Sequence, residues 1–189
     1  MARGLGLYAF KVVLMGDGAV GKSSLRRKFM GKTFDTTYIM TIGADFAVKY
    51  MRIGDVNVKF VIWDLAGQPH FRAVRTTFYR GARGGLLLYD ITRRDTFEHV
   101  PAWMEEFVKH TKGEGMAVVL VGNKVDLREK GLEQVSWADG LAMAEELQKK
   151  HGIPVSFVET SAITGENVDK AFIILAEEIL KRIKTQPFI

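Results

Sequence analysis

The stretch Gly16-Asp17-Gly18-Ala19-Val20-Gly21-Lys22-Ser23 constrains this chain more than any other. It fits the phosphate-loop pattern G-x-x-x-x-G-K-[ST] without a mismatch. Ahead of it runs the apolar segment Val12-Val13-Leu14-Met15, and behind it Leu25 and Phe29 stand four apart, as on one helix face. A strand, a glycine loop and a helix start are the context that gives the pattern physical meaning. Glycines let backbone N–H groups converge on phosphate oxygens, and the helix N-terminus adds its positive dipole end. Lys22 would then lie along the β- and γ-phosphates as a point charge, and the Ser23 hydroxyl would sit on a magnesium ion. A glycine-rich turn that binds nothing is the bland alternative, and the loop's partners further along the chain argue against it.

Size and composition narrow the class. A chain of 189 residues, 47% apolar and 26% charged, suits one globular domain with a substantial core. We read residues 1–189 as a single domain, with a core over 8–183 and a short tail at 184–189. The net charge of +5 is too mild to argue for nucleic acid, and no long basic run appears. With no cysteine, the chain offers no disulfide, thiolate metal site or thiol-linked lipid anchor, and a cytoplasmic location fits. The histidines, at positions 70, 99, 110 and 151, lack metal-ligand spacing and read as surface or packing residues. Residues 5–15 could pass for a signal peptide, but Lys11 interrupts them and they lead straight into the glycine loop. Ala2 stands where N-myristoylation needs glycine.

Along the chain, the Thr-rich residues 32–43 read as a long loop. Residues 44–53 and 56–64 form a hairpin turned by Gly54-Asp55, its second arm alternating Val56, Val58, Phe60 and Ile62 with polar residues. Leu86-Leu87-Leu88-Tyr89, Ala117-Val118-Val119-Leu120-Val121 and Val155-Ser156-Phe157-Val158 are further strands. Phe97, Val100, Met104 and Phe107 keep helical spacing, with Pro101 early enough for a first turn. Ser136 and Asp139 predict a capping box for a helix over 137–151. A last helix carries Val168, Phe172, Leu175 and Ile179 on one face. Alternating strands and helices predict an α/β three-layer sandwich, its six-stranded sheet mainly parallel with one antiparallel edge strand. Every candidate motif falls at a strand end, where open α/β sheets bind ligands.

Further stretches sharpen the reading: Thr41-Ile42-Gly43-Ala44-Asp45-Phe46, Trp63-Asp64-Leu65-Ala66-Gly67-Gln68, Phe78-Tyr79-Arg80-Gly81-Ala82, Leu88-Tyr89-Asp90-Ile91-Thr92, Asn123-Lys124-Val125-Asp126 and Glu159-Thr160-Ser161-Ala162. With these in order, residues 8–183 resemble the small GTPase superfamily, and within it the Rab branch.

The resemblance implies a magnesium-dependent switch that binds GTP and GDP and hydrolyses GTP. It implies nucleotide contacts at Gly16, Asp17, Gly18, Ala19, Val20, Gly21, Lys22, Ser23 and Ser24, then at Phe34, Tyr38, Thr41 and Gly67. On the base side it implies Asn123, Lys124, Asp126, Ser161, Ala162 and Ile163. Asp126 would accept hydrogen bonds from the guanine ring N–H and exocyclic amine; adenine would set a lone pair against it. Asn123 would tie the loops together, the Lys124 stem would cover the base, and the Ala162 N–H would meet the guanine oxygen. The magnesium set would be Ser23, Thr41 and, through water, Asp64; Gln68 would position the attacking water.

Tyr38 occupies the position at which heterotrimeric G-protein alpha subunits carry a stabilising arginine, so intrinsic hydrolysis should be slow. Arg72 and Arg75 read as solvated or partner-facing surface. The resemblance also implies an exchange factor, an activating protein and effectors acting on a monomer through its switch loops.

Two features depart from the Rab pattern. Pro69-His70 replaces the usual Glu-Arg after Gln68, and no prenylation cysteine follows Lys184-Thr185-Gln186-Pro187-Phe188-Ile189. Lys181, Arg182 and Lys184 are too few to hold a membrane alone. The chain is therefore either shortened or a non-lipidated relative, prokaryotic or archaeal in type. Two competing readings stand beside the switch. An ATPase or nucleotide kinase is opposed by Asn123-Lys124-x-Asp126, and a non-hydrolysing nucleotide-bound scaffold is kept open by Pro69.

Overall fold

The computed structural model describes residues 7–31, 36–39, 44–65, 72–111 and 115–185. Its strands are β1 (Leu7–Met15), β2 (Thr36–Ile39), β3 (Ala44–Ile53), β4 (Val56–Leu65), β5 (Gly84–Asp90), β6 (Ala117–Asn123) and β7 (Val155–Thr160). Its helices are α1 (Lys22–Met30), α2 (Arg72–Tyr79), α3 (Arg94–Glu98), α4 (Val100–Thr111), α5 (Trp137–His151) and α6 (Val168–Thr185), with a 3-10 turn over Val125–Lys130.

The sheet runs β2-β3-β4-β1-β5-β6-β7. The six expected strands are all present, and β3 alone runs against the others. It is not the edge, however. The seventh strand, β2, pairs antiparallel outside it, from Thr36 opposite Ala47 to Ile39 opposite Ala44. The sequence reading placed these residues in a loop. Their β-branched and aromatic content suits a strand, and pairing with the β3 strand that follows makes one of them.

The Gly54-Asp55 hairpin forms as expected: Ile53 faces Val56, and Gly54 takes φ +56°. Helix α5 spans the expected residues. Ser136 Oγ accepts from the Asp139 N–H, and Asp139 Oδ2 accepts from the Ser136 N–H. Helix α6 continues through Thr185, two residues into the segment expected to be a tail.

Strands β5 and β6 are buried along their whole length, as strands covered on both faces must be. One core lies between the sheet and helices α1 and α6, where Phe29 stacks on Phe172 with ring centres 3.6 Å apart. The other lies under α2, α4 and α5, around Met15, Leu87, Tyr89, Met104 and Phe107. Each such large side chain contributes about 1.5–3 kcal/mol by leaving water. The two layers hold the carboxyl ends of β1, β4, β5, β6 and β7 along one rim. There Leu14 pairs with Asp64, Asp90 with Asn123, and Asn123 with Thr160. Among the described residues no helix is long and apolar enough to cross a membrane.

Candidate functional site

The loop leaving β1 is built around two strained glycines. Gly16 has φ +126°, and a Cβ there would lie 2.1 Å from the Leu88 carbonyl oxygen. Gly21 has φ +103°, and a Cβ there would lie 2.2 Å from Asn123 Nδ2. Neither position accepts a side chain. Ala19 also takes a left-handed conformation, φ +62°, which the sequence pattern does not specify. A Cβ added at Gly18 would meet nothing within 4 Å, so this side of the loop is open to an approaching group. Helix α1 begins directly, with Leu25 N–H donating to the Gly21 carbonyl at 2.8 Å. No side chain caps it, which leaves the dipole end of the helix at the loop without a side-chain acceptor. Buried Lys22 is held there, its Nζ donating to the carbonyls of Gly16 at 2.7 Å and Asp17 at 2.6 Å. Ser23 is exposed, and the half-buried Ser24 accepts a hydrogen bond from Arg27 through its Oγ at 3.4 Å.

Asn123, at the end of β6, is 1% exposed and joins three segments. Its Nδ2 donates to the Val20 carbonyl at 2.8 Å. Its Oδ1 accepts from Thr160 Oγ1 at 3.0 Å and from the Ala162 N–H at 3.2 Å. Here, then, the Ala162 N–H is turned to Asn123. Ser161 Oγ meets Asp126 Oδ1 at 2.5 Å and accepts from the Thr164 N–H, fixing the carboxylate against the last loop. Lys124, at φ +74°, sets its Nζ 2.6 Å from Asp90 Oδ2. Burial alone would raise the Asp90 pKa, but hydrogen bonds from Lys124 and Thr92 outweigh it and hold the carboxyl below its ordinary value. Ile163 is exposed beside Ala162, and its carbonyl accepts from Lys28 Nζ at 3.2 Å.

Asp64 lies one residue before the end of β4 and is buried. Burial pushes its pKa up, opposed by a hydrogen bond with Ser23 and by the charges of Arg26 and Lys22. A hydroxyl and a carboxylate near one another at a phosphate loop are hard oxygen donors of the kind magnesium takes. Among the described residues no group of three His, Cys, Asp or Glu side chains could hold a metal alone.

The loop is also gripped from behind, by contacts the sequence reading missed. Trp103 Nε1 donates to Asp17 Oδ1 at 2.7 Å, and His99 Nδ1 lies 2.6 Å from Asp17 Oδ2. Arg93 Nη2 donates to the Gly18 carbonyl at 2.9 Å, and its Nε reaches Asp90 at 3.3 Å. The available signal was the spacing of His99 and Trp103, four apart about the start of α4, with no indication of what they face.

Phe34, Thr41, Gly67 and Gln68 lie outside the described residues, as do Pro69, the side chain of Tyr38 and those of Arg72 and Arg75. The structure therefore brings together the phosphate loop, Asp64, Asn123-Lys124-x-Asp126 and Ser161-Ala162-Ile163.

Comparison with known proteins agrees with this geometry. The model of the Ras family matches residues 11–181. The chain belongs to the Ras family. Within it the chain is a Rab-like small GTPase, 47% identical over 176 residues to the Ras-related protein RABA5b of Arabidopsis thaliana. That alignment covers 93% of this chain and 77% of the relative. A Rab-like small GTPase binds guanine nucleotides and hydrolyses GTP, and it works through regulators and effectors.

Proposed function

We propose that this GTPase holds GTP or GDP with magnesium between the Gly16–Ser24 loop and the Asn123–Asp126 loop, hydrolyses GTP slowly, and offers a partner surface only with GTP bound. The observation that carries the reading is Asn123. One buried amide spans the phosphate loop and the Thr160–Ala162 segment, so whatever occupies one end of the site is felt at the other.

Lys22 would exchange its carbonyl partners for β- and γ-phosphate oxygens, a charge-assisted contact. Asp126, braced by Ser161, would accept from the guanine ring N–H and amine, and the lone pair of adenine N1 would face it unpaired. Ser23, Thr41 and, through water, Asp64 would hold magnesium, which supplies neutralisation of phosphate charge when bound. Gln68 would orient the attacking water. Tyr38 supplies no cation, so an activating partner's arginine would raise the rate by about 10³–10⁵. Release of the γ-phosphate would remove the contacts of Thr41 and the Gly67 N–H, free their loops and so dismantle the partner surface.

The acting species is a monomer in the cytoplasm that regulates trafficking or signalling through effectors. Pro69, directly after Gln68, favours a second form of the reading: a weakly hydrolysing, nucleotide-bound scaffold. Chromatography of the nucleotide released from freshly purified protein tests the first claim. Guanine nucleotide near one per chain is expected; an adenine nucleotide, or none, would overturn it. Single-turnover hydrolysis separates the switch from the scaffold, since a scaffold leaves GTP intact over many hours.

A further inference from the structure

Three residues on one face of α1 descend from the phosphate loop. Lys22 and Ser23 stand four and three positions before Arg26, which places all three over the same part of the sheet. Beneath them Asp45 on β3 and Asp64 on β4 are direct cross-strand partners in an antiparallel pair. Like charges in that relation repel, and these two lie where little water can screen them. Arg26 sits between them. Its Nη2 donates to Asp45 Oδ2 at 2.7 Å, and its Nε is 3.9 Å from Asp64 Oδ2. Arg26 is only 4% exposed, and its Nε and Nη1 find no hydrogen-bond partner among the described residues. A buried guanidinium with donors unspent is a poor device for stability alone, since desolvating it costs more than one good contact returns. Its placement makes sense if it keeps two facing carboxylates in register.

We propose that Arg26 is a positioning residue: it holds Asp64 in place beside Ser23 against repulsion from Asp45, and so couples magnesium-dependent nucleotide retention to β3, the strand that continues the stretch bearing Thr41. The proposal rests on the reading of Ser23 and Asp64 as the metal side of the site. Without Arg26 the carboxylates turn apart, Asp64 leaves Ser23, and the metal side loosens while the phosphate loop and base contacts stay as they are.

The test is the release rate of fluorescent GDP from the full chain, in excess magnesium and in excess EDTA. In the parent, magnesium should slow release strongly. Arg26→Leu should speed release about tenfold in magnesium, the scale of coupling between charges in contact, and leave the EDTA rate unchanged. Asp45→Asn added to Arg26→Leu removes the repulsion and should return the magnesium rate to within about twofold of the parent. Arg26→Gln, which keeps length and a donor and is the gentler change for folding, should speed release in magnesium about threefold.

A purely structural role would accelerate release equally in both conditions, and Asp45→Asn would not restore it. Either result, or variants matching the parent in magnesium, overturns the proposal while the metal reading stands. A parent whose release ignores magnesium removes the metal reading and this proposal together.

Discussion

Replacing Asn123 by alanine should damage folding and nucleotide retention together, because one side chain serves both. Three hydrogen bonds disappear: to the Val20 carbonyl, from Thr160 Oγ1 and from the Ala162 N–H. Each is worth about 1 kcal/mol net, and the buried partners left behind make the loss no smaller, so about 3 kcal/mol is expected. For a chain of this size 1 kcal/mol moves the melting temperature by about 2–4 °C, so a fall of about 6–12 °C should appear with GDP held in fixed excess. If most of that energy is felt in the liganded state, GDP release should quicken by up to about 150-fold. Thermal unfolding read beside fluorescent-GDP release measures both. A fall below about 2 °C with release unchanged would refute the claim that Asn123 is the junction of the site.

Other expectations concern single positions. Ser23→Asn should weaken GTP more than GDP in magnesium titrations, whereas equal loss for both would remove the serine from the metal site. Gln68→Leu should slow single-turnover hydrolysis without weakening GTP, and an unchanged rate would take Gln68 out of catalysis. Asp126→Asn should relax the preference for guanine in competition binding; a preference retained would mean the base is read elsewhere. His99 is held above its ordinary value of 6.5 by its hydrogen bond to Asp17, so the pair stabilises fully below that value and less as pH rises through the raised one. The melting temperature lost by His99→Ala should therefore be larger at about pH 6 than at about pH 8.5, and an equal loss at both would show that the pair does not titrate.

The phosphate loop, the Gly54-Asp55 hairpin and the capped helix from Trp137 were legible in the sequence because each is written in adjacent residues. The strand-end motifs were legible because the alternation of strands and helices leaves few ways to arrange them. What escaped depends on partners that only the fold supplies. The edge strand Thr36–Ile39 is polar enough to read as loop and becomes a strand only beside β3. Arg26 stands beside Arg27 and Lys28 in α1, and no local pattern singles it out. Its burial follows from Asp45 and Asp64, which only the folded sheet brings beneath it. His99, read as a surface or packing residue, and Arg93, which no local pattern singles out, both hold the phosphate loop, through Asp17 and the Gly18 carbonyl. Arg128, which no local pattern singles out, pairs with both carboxylate oxygens of Glu159 at 2.8 and 2.6 Å and stiffens the approach to Ser161.

The central claim is that Lys22 and the loop amides grip phosphate while Asp126 inspects the base. Displacement of a fluorescent guanine nucleotide from the magnesium-loaded protein, by GDP in one titration and ADP in the other, tests it most directly. The account predicts that GDP competes at least about 10⁴-fold better than ADP. Equal displacement by the two would contradict it.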